Sequence, residues 1–369
     1  MIPVTKTYLP NIGKYQEYVQ QIFASNQLTN NGTLVRELEN KLKDYLGVPY
    51  LILVSNGTLA LQLAYKLLEL KGEVITTPFS FVATTSSLIW GGLKPVFSDI
   101  NPETLNIDVT KIEEKITKDT SCILPVHVFG NPCEVDRIEK IADRHNLKVI
   151  YDAAHAFGTG YKGKSALNFG DVSILSFHAT KLFHTIEGGA IIVQNEELYK
   201  KAKQLINFGF GSHGIPEVLG INAKMNEFQA AMGLSVLDDI AIILSQREQV
   251  HKYYQDRLAS ISDIDLVSFN QLGTRNYSYF PIILKNEESV LGVKQALEEH
   301  EIFPRRYFYP SLDGLPFVDS PPMEVAGEMA NRILCLPMYG ELSESIIDEI
   351  CHIIINQITS MEKENECVK

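Results

Sequence analysis

A single lysine lies between two short apolar runs, in a part of the chain that predicts two buried strands joined by a polar loop. The runs cover residues 172–177 and 190–193, and the loop between them carries Lys181. A lysine is usually a solvated surface residue. Beside a buried core, however, its amine can become nucleophilic enough to form a Schiff base with a carbonyl group. The segment alone leaves both interpretations of Lys181 open.

Two histidines, His178 and His184, flank this lysine. Neither has the spacing to another His or Cys that is typical of metal ligands. The sequence therefore predicts no metal site in this loop.

The tetrapeptide Ser55-Asn56-Gly57-Thr58 follows a predicted strand and opens a predicted helix. Unpaired amides and the positive end of the helix would face an anion there, and Gly57 would allow close approach of the backbone. The tetrapeptide is neither a Walker loop nor a dinucleotide-binding G-x-G-x-x-G motif. It indicates a phosphate cup, with a simple helix N-cap as the alternative.

Asp152 ends a predicted buried strand, where an unpaired carboxylate needs a cationic partner. That partner could be a protonated pyridinium nitrogen or a structural Arg or Lys. His155 could reach the same ligand or could be a core histidine. Phe79 and Phe81 follow another predicted strand; they are core aromatics unless one of them stacks on a planar ring.

From residue 50 onward, short apolar runs alternate with helical stretches. The runs cover residues 51–54, 74–77, 95–98, 123–126 and 148–152, and the helical stretches cover 59–70, 83–90, 110–116 and 135–145. Continuous hydrophobicity in strands separated by helices indicates a mainly parallel sheet covered on both faces, the α/β class. Ligands of such sheets gather beyond the carboxyl ends of the strands, so we expect the motifs above to meet at one edge.

At 369 residues the chain is long for a single core. Helices are predicted at 13–24, 35–46, 197–208 and 226–246 in the first part. The remainder predicts a helix to 261, a strand at 279–284, a helix at 289–300, a strand at 333–336, a helix at 343–358 and a frayed charged tail at 361–369. We therefore predict a large domain over residues 1–245 and a smaller α+β domain over 246–369.

Charge and cysteine content narrow the class of protein. The net charge of −12 and the lack of a dense Lys/Arg block argue against nucleic acid or an anionic membrane as a partner. Five cysteines without C-x-x-C spacing predict neither a disulfide framework nor a zinc ribbon. The N-terminus has no signal-like apolar region, and no apolar run approaches the length of a membrane span, so we expect a cytoplasmic protein.

Taken together, the motifs occur in the order anion cup, aromatic ring, strand-end aspartate and strand-bounded lysine. Pyridoxal phosphate needs these four parts: an anchor for its phosphate, a plate against its ring, a partner for its ring nitrogen and a covalent attachment. The combination is more specific than any of its members.

These motifs resemble the DegT/DnrJ/StrS family of sugar-nucleotide aminotransferases, which share the aspartate-aminotransferase fold and bind pyridoxal phosphate. The matching stretches cover nearly the whole chain: SNGTLALQLA (55–64), TPFSFVATTSSLIWGG (77–92), PVHVFGNP (125–132), YDAAHAFG (151–158), SFHATKLFHTIEGGAI (176–191) and GINAKMNEFQAAMG (220–233).

The resemblance implies a role for each matching residue. Lys181 would attach the cofactor and move protons, Asp152 would pair with the ring nitrogen, and His155 would lie near the ring hydroxyl. The remaining cofactor contacts would be Phe81 and Ala154 on the two ring faces, and Gly57, Thr58 and Ser176 on the phosphate, joined by Asn222 of a neighbouring subunit. A homodimer with shared active sites follows from that last contact.

The resemblance also implies where the sugar binds. The stretch RRYFYP at 305–310 would cover it through Arg306, Tyr307 and Tyr309, although an exposed basic and aromatic turn is the alternative. Residues 183–187, including His184, would form a wall beside it.

The implied reaction transfers an amino group from L-glutamate to a nucleotide-linked keto-6-deoxyhexose. The stretches IPVTKTYLPN and LTNNGTLVRELE are similar to enzymes that convert dTDP-4-keto-6-deoxy-D-glucose into dTDP-4-amino-4,6-dideoxy-D-glucose for surface polysaccharide such as O-antigen. The stretch RRYFYPSL is also similar to enzymes of 3-keto sugars, so amination at C3 stays open. A lyase or dehydratase and a non-catalytic regulator are further alternatives; the presence of Lys181 argues against dehydratases that carry histidine there.

Overall fold

The computed structural model describes residues 1–367, and helices and strands alternate along most of them. The helices are α1 (Ile12–Ser25), α2 (Thr33–Leu46), α3 (Gly57–Leu67), α4 (Ala83–Trp90), α5 (Val135–His145), α6 (Glu196–Leu205), α7 (Glu227–Leu237), α8 (Ile240–Leu258), α9 (Glu287–Glu299), α10 (Glu324–Arg332) and α11 (Glu344–Cys367). The strands are β1 (Ile2–Pro3), β2 (Tyr50–Val54), β3 (Glu73–Thr76), β4 (Lys94–Phe97), β5 (Thr120–Leu124), β6 (Lys148–Asp152), β7 (Gly160–Tyr161), β8 (Lys164–Ser165), β9 (Val172–Ser176), β10 (Gly189–Val193), β11 (Ile264–Leu266), β12 (Gly273–Thr274), β13 (Phe280–Leu284), β14 (Ile302–Phe303) and β15 (Ile333–Leu336).

Within residues 1–367, the main sheet has seven strands in the order β2-β10-β9-β6-β5-β3-β4. The pairs β3–β4, β3–β5, β5–β6 and β6–β9 are parallel, while β10 runs antiparallel to both β9 and β2. The predicted mainly parallel sheet is confirmed. All strands of this sheet except β10 therefore run in the same direction, so their carboxyl ends lie at one edge. Ligands of such sheets bind at that edge.

Helices cover both faces of this sheet. Along β10, Ala190 and Ile192 pack with α2 and α7, whereas the alternating residues Ile191 and Val193 pack with α3 and α6. Successive strand residues point to opposite faces, so a strand buried on both sides reads as continuously apolar. This burial explains the uninterrupted hydrophobic runs in the sequence.

Two predicted helices take a different form. The stretch 110–116 consists of two 3₁₀ turns, Val109–Lys111 and Glu113–Lys115, because it has room for barely two turns before Ile116 becomes extended. The helix predicted at 226–246 is two helices, α7 and α8, which meet at a bend of 60°.

Two tertiary contacts lie at the bend between α7 and α8. Lys14 forms an ion pair of 2.7 Å with Asp238, and the hydroxyl of Tyr8 donates to Asp239 at 3.0 Å. The apolar pattern continues through the break, so the periodicity of the sequence predicts a single helix. The bend leaves α7 against the main sheet and directs α8 to the C-terminal part of the chain.

The C-terminal part has its own small sheet and core. Strands β11, β13 and β15 form an antiparallel sheet that packs with α8, α9 and α11. Helix α11 continues to Cys367, so most of the tail expected to fray is helical, and residues 368 and 369 lie outside the described residues. The predicted domain boundary between residues 245 and 246 falls inside α8 and stays a prediction.

Among residues 1–367 no single helix has the length and apolar character to cross a bilayer, although α7 and α8 together pass that test by length and composition alone. Core helices of soluble proteins pass it as well. Cys122, Cys133, Cys335 and Cys351 are buried free thiols.

Candidate active site

A cavity of about 350 Å³ opens at the carboxyl edge of the main sheet. It is lined by residues that follow β2, β3, β6 and β9 and by two segments of the C-terminal part, around Tyr279 and around Arg305. The predicted site residues that line it are Gly57, Thr58, Phe81, Asp152, Ala154, His155, Ser176, Lys181 and Tyr307. The fold therefore brings together segments that lie far apart in the sequence.

Lys181 lies in the loop that connects β9 to β10, and its side chain is partly buried in the cavity. Its Nζ donates a hydrogen bond of 3.4 Å to the hydroxyl of Tyr279. Burial of the ammonium lowers the pKa of Lys181 to about 8, and the charge of Asp152 opposes this shift. An amine with this pKa can gain and lose a proton near neutral pH, unlike an ordinary lysine.

Asp152 ends β6 and is 5% exposed. One carboxylate oxygen accepts from the hydroxyl of Thr84 at 2.8 Å and the other from the backbone amide of Ala154 at 3.1 Å. Burial raises the pKa of Asp152, and these hydrogen bonds and the charge of Lys181 oppose the rise. A buried carboxylate of this kind is stabilised by a cation placed in the cavity.

The anion cup forms at the start of α3. Asn56 caps the helix by accepting from the amide of Leu59 at 2.9 Å, and Gly57 begins the helix. A Cβ at Gly57 would lie 2.8 Å from the Cβ of Ser176, so glycine is needed for this close approach. The positive end of the helix, with Thr58 and Ser176 beside it, faces the cavity as an anion site requires.

His155 lies in a stack of aromatic rings. Its ring is nearly parallel to those of Phe129 and Phe308, at centroid distances of 6.2 and 5.7 Å. Its Nδ1 accepts from the amide of Phe129 at 3.3 Å, so Nε2 carries the hydrogen of the neutral ring. Burial, with a smaller contribution from Lys181, lowers the pKa of His155 well below its usual value. His155 is thus a neutral donor at the cavity wall.

The two phenylalanines after β3 differ in position. Phe79 is completely buried against Phe129 and Phe308, as a core aromatic. Phe81 lines the cavity and is 57% exposed. Of these two phenylalanines, Phe81 is therefore the one that can contact a ligand ring.

Four predicted site residues do not line this cavity. His184 is 1% exposed, and its Nε2 contacts the carbonyl oxygen of Tyr8 at 2.7 Å; its contact with substrate stays a prediction. Arg306 donates to Glu287 at 2.7 Å and lies 3.5 Å from the ring centre of Tyr309. Asn222, predicted to act in a neighbouring subunit, accepts from Lys224 at 2.8 Å, and that prediction is untested.

Two cavity residues, Thr84 and Tyr279, were given no role from the sequence, whereas Glu187 and Arg305 lie in the predicted stretches 183–187 and 305–310 without being singled out. Thr84 lies 68 residues from its partner Asp152, and Tyr279 lies 98 residues from Lys181. Thr84 belongs to a motif quoted above, which was the available signal. Tyr279 directly precedes β13, and a rule based on the carboxyl ends of strands does not indicate it.

The arginine beside the cavity is also not the one predicted. Arg305, not Arg306, lines it, and no carboxylate of residues 1–363, whose side chains the structure describes, forms a salt bridge with Arg305. Its guanidinium lies 5.1 Å from the ring centre of Tyr307. An unpaired cation at the wall suits an anionic ligand.

The sheet topology, the lysine, the buried aspartate and the anion cup together define a pyridoxal-phosphate-dependent aminotransferase of the aspartate-aminotransferase fold. Residues 11–355 match the DegT/DnrJ/EryC1/StrS aminotransferase family, and the chain belongs to this family.

Named relatives agree with this class. The chain is 44% identical over 353 residues to a dTDP-4-amino-4,6-dideoxy-D-glucose transaminase of Shigella dysenteriae, covering 94% of this chain and 96% of that protein. It is 40% identical over 368 residues to an enzyme of the same name from Escherichia coli, covering 97% and 99%. The crystal structure of DesI in the presence of its TDP-sugar product has a TM-score of 0.92 at 31% identity, covering 100% of this chain and 96% of that one.

The cavity fits pyridoxal phosphate, the cofactor of this family. Gly57 lets the start of α3 lie close to Ser176, and both residues line the cavity with Thr58, as a phosphate site at a helix N-terminus requires. The carboxylate of Asp152 suits a protonated ring nitrogen, and Lys181 supplies an amine with a lowered pKa for the covalent bond. Phe81 and Ala154, which both line the cavity, are the predicted contacts of the two ring faces.

Proposed function

We propose that this enzyme transfers the amino group of L-glutamate to C4 of dTDP-4-keto-6-deoxy-D-glucose, giving dTDP-4-amino-4,6-dideoxy-D-glucose and 2-oxoglutarate. The observation that carries the proposal is the identity of 44% and 40%, over nearly complete chains, to two transaminases named for that product. The cavity supports it with a lysine, an aspartate and an anion cup in the arrangement that this chemistry needs.

Lys181 is the residue that moves the proton. When bound, pyridoxal phosphate supplies an electron sink for the carbanion that forms when the amino acid loses its Cα hydrogen. Lys181 takes up that hydrogen and delivers it on the cofactor side, because its pKa of about 8 allows both protonation states near neutral pH.

Asp152 and His155 set the electronic state of the cofactor ring. The carboxylate of Asp152 holds a proton on the ring nitrogen, and Thr84 holds the carboxylate at 2.8 Å. Because the Nδ1 of His155 already accepts from Phe129, its Nε2 hydrogen would be available to the ring hydroxyl of a bound cofactor. Gly57, Thr58 and Ser176 hold the phosphate.

Arg305 and Tyr307 bind the two substrates in turn. A ping-pong reaction uses one site for donor and acceptor, so a single arginine can pair first with a carboxylate of glutamate and then with the diphosphate of the sugar nucleotide. Arg306 and Tyr309 support this segment through their mutual contact and the ion pair of Arg306 with Glu287.

The active site is completed by Asn222 of a second copy, which makes the enzyme a homodimer. The loop before Asn222 supports this arrangement because it exposes large apolar side chains, namely Phe208, Phe210, Ile215, Leu219 and Ile221. Apolar residues clustered in this way are typical of subunit interfaces. We place the enzyme in the cytoplasm, where it would supply the amino sugar for surface polysaccharide such as O-antigen.

The proposed reaction is tested by incubating the purified enzyme with glutamate and a panel of dTDP-, UDP- and GDP-linked 4-keto and 3-keto sugars. We expect conversion of the dTDP-linked 4-keto sugar, with one 2-oxoglutarate formed for each amino sugar, detected by mass spectrometry and positioned by NMR. Lys181→Ala is the control and should abolish turnover. Amination at C3 only, or loss of the sugar hydroxyl without nitrogen transfer, would reject the proposal.

The shared site is tested separately by mixing two inactive variants, Lys181→Ala and Asn222→Ala. A mixed dimer contains one intact site, which combines Lys181 of one subunit with Asn222 of the other. Activity should return after the two variants are unfolded and refolded together, and not when they are mixed after separate refolding. No recovery in refolded dimers of normal size would exclude the sharing of Asn222.

A further inference from the structure

Tyr279 is the residue whose hydroxyl contacts the amine of Lys181. The Lys181 Nζ donates to this hydroxyl at 3.4 Å, and Tyr279 lines the cavity. Among residues 1–363, whose side chains the structure describes, no other group hydrogen-bonds to the hydroxyl, so its own hydrogen is free to be donated to a ligand in the cavity. Burial raises the pKa of Tyr279 above its usual value, which keeps the phenol protonated.

Aromatic contacts fix the ring of Tyr279. It packs against His155 at a centroid distance of 4.8 Å, against Phe129 at 5.2 Å and edge-on against Tyr307 at 5.9 Å. Such packing restricts the rotation of the side chain and keeps the hydroxyl beside Lys181.

A buried arginine fixes the backbone that carries Tyr279. Arg247 of α8 is 5% exposed and donates to the carbonyl oxygens of Ser278 at 3.3 Å, Met338 at 3.2 Å and Tyr277 at 3.5 Å. Its partners are carbonyl oxygens, with no carboxylate of residues 1–363 in a salt bridge to it, and burial lowers the pKa of Arg247 to about 10. Burial of an unpaired cation costs free energy. Because Arg247 donates its hydrogen bonds to the carbonyls of residues 277 and 278, we infer that it holds the backbone next to Tyr279 in place.

We propose that Tyr279 is a further catalytic residue, which relays hydrogen between Lys181 and the oxygen that leaves the substrate carbonyl, and that Arg247 positions it. This inference rests on the proposed function. As the new C–N bond forms, Lys181 takes one hydrogen from the attacking amino group. Lys181 then passes a hydrogen to the Tyr279 oxygen, while the hydrogen of Tyr279 goes to the substrate oxygen.

The step balances. The carbonyl oxygen receives this hydrogen and the second hydrogen of the amino group, its bond to carbon breaks, and it leaves as water. Lys181 and Tyr279 both end in the state in which they began. The donor half-reaction runs the same transfers in reverse, with water as the nucleophile that releases the 2-oxo acid.

Tyr279→Phe keeps the ring and removes only the hydroxyl. We expect kcat to fall by roughly 100-fold, since general acid–base groups contribute 100-fold or more, with KM little changed. In the cofactor-free protein, the pH midpoint for labelling of Lys181 by an amine-reactive reagent, followed by mass spectrometry, should fall by about one unit below its starting value, because the ammonium loses an acceptor. Tyr253→Phe is the matched control: its exposed hydroxyl donates to Asp348 at 3.0 Å and is expected to affect neither measurement.

The donor half-reaction separates this inference from the proposed function. If the enzyme aminates a different sugar, Tyr279→Phe should still slow the release of 2-oxoglutarate in a single turnover with glutamate. A Tyr279→Phe enzyme with unchanged single-turnover rates would overturn the relay, whichever sugar is the substrate.

The role of Arg247 is tested with a double variant. Arg247→Gln should lower kcat and the labelling midpoint of Lys181 in the same direction as Tyr279→Phe. If Arg247 acts through Tyr279, the double variant should have a kcat close to that of the slower single variant. Multiplication of the two losses, or an unchanged labelling midpoint in Arg247→Gln, would reject the positioning role.

Discussion

Replacing Thr84 by valine should move the acid limb of the pH–activity profile to higher pH. The Thr84 hydroxyl donates to the buried carboxylate of Asp152 at 2.8 Å, and valine has nearly the same shape without that donor. The hydrogen bond favours the ionised carboxylate, so its loss raises a pKa that burial has already raised.

The size of the shift follows from the strength of such bonds. A hydrogen bond to a charged group is worth about 1.5–3 kcal/mol, and one pKa unit corresponds to about 1.4 kcal/mol, so the pKa of Asp152 should rise by about one to two units. A protonated Asp152 cannot hold the proton on the cofactor ring nitrogen. Activity should therefore be lost at a higher pH as the pH falls, and should approach that of the wild type in alkaline buffer.

The measurement is kcat/KM between about pH 5 and pH 9 for Thr84→Val and for Thr85→Val. Thr85 is the matched control, since its buried hydroxyl has no hydrogen-bond partner in the described part of the chain and its loss should leave the profile unchanged. Asp152→Asn identifies the group, because the limb that belongs to Asp152 must disappear with the carboxylate. A uniform loss of activity at every pH in Thr84→Val would refute the electrostatic reasoning and leave only a packing role.

Three further predictions concern the cofactor cup, the helical layer and the lysine. Gly57→Ala places a Cβ 2.8 Å from that of Ser176, so pyridoxal phosphate should bind at least about tenfold more weakly in an absorbance titration, with partial recovery in Gly57→Ala/Ser176→Gly. Glu227→Ala removes a buried carboxylate that accepts from the first amides of α2 at 2.8 and 3.0 Å, and denaturant unfolding should show a loss of about 2–4 kcal/mol. In the cofactor-free wild type, labelling of Lys181 should be half-maximal near pH 8, because only the neutral amine reacts, whereas the surface residue Lys200, whose pKa is raised by Glu196, should require a higher pH.

Residues at the ends of strands were predictable because their signals are local. Lys181, Asp152 and Gly57 each stand directly beside an apolar run that is long enough to be identified as a strand. The parallel arrangement of the strands then brings their carboxyl ends to one edge, which is how three distant segments could be assigned to a single site. Their common cavity confirms that spatial prediction, while their chemical roles stay predictions.

Local sequence signals could not determine which of two adjacent arginines lines the cavity. Arg305 and Arg306 are adjacent and chemically identical in the sequence. In the structure Glu287, from a helix elsewhere in the chain, pairs with Arg306 and leaves Arg305 at the cavity wall. Likewise, His184 lies three residues from Lys181 in the sequence. In the structure its side chain is buried and contacts the carbonyl oxygen of Tyr8.

The sequence by itself determined the fold class, the family resemblance and the cofactor. The signals for buried strands, helix starts and the order of motifs each depend on a short stretch of neighbouring residues. Only the tertiary structure decided the bend between α7 and α8, the partner of Asp152 and the group that touches Lys181. Thr84, Tyr279 and Arg247 act through contacts made across 68, 98 and up to 91 residues of chain, respectively. Contacts of that separation depend on how the sheet and the C-terminal part pack together, and no local pattern encodes them.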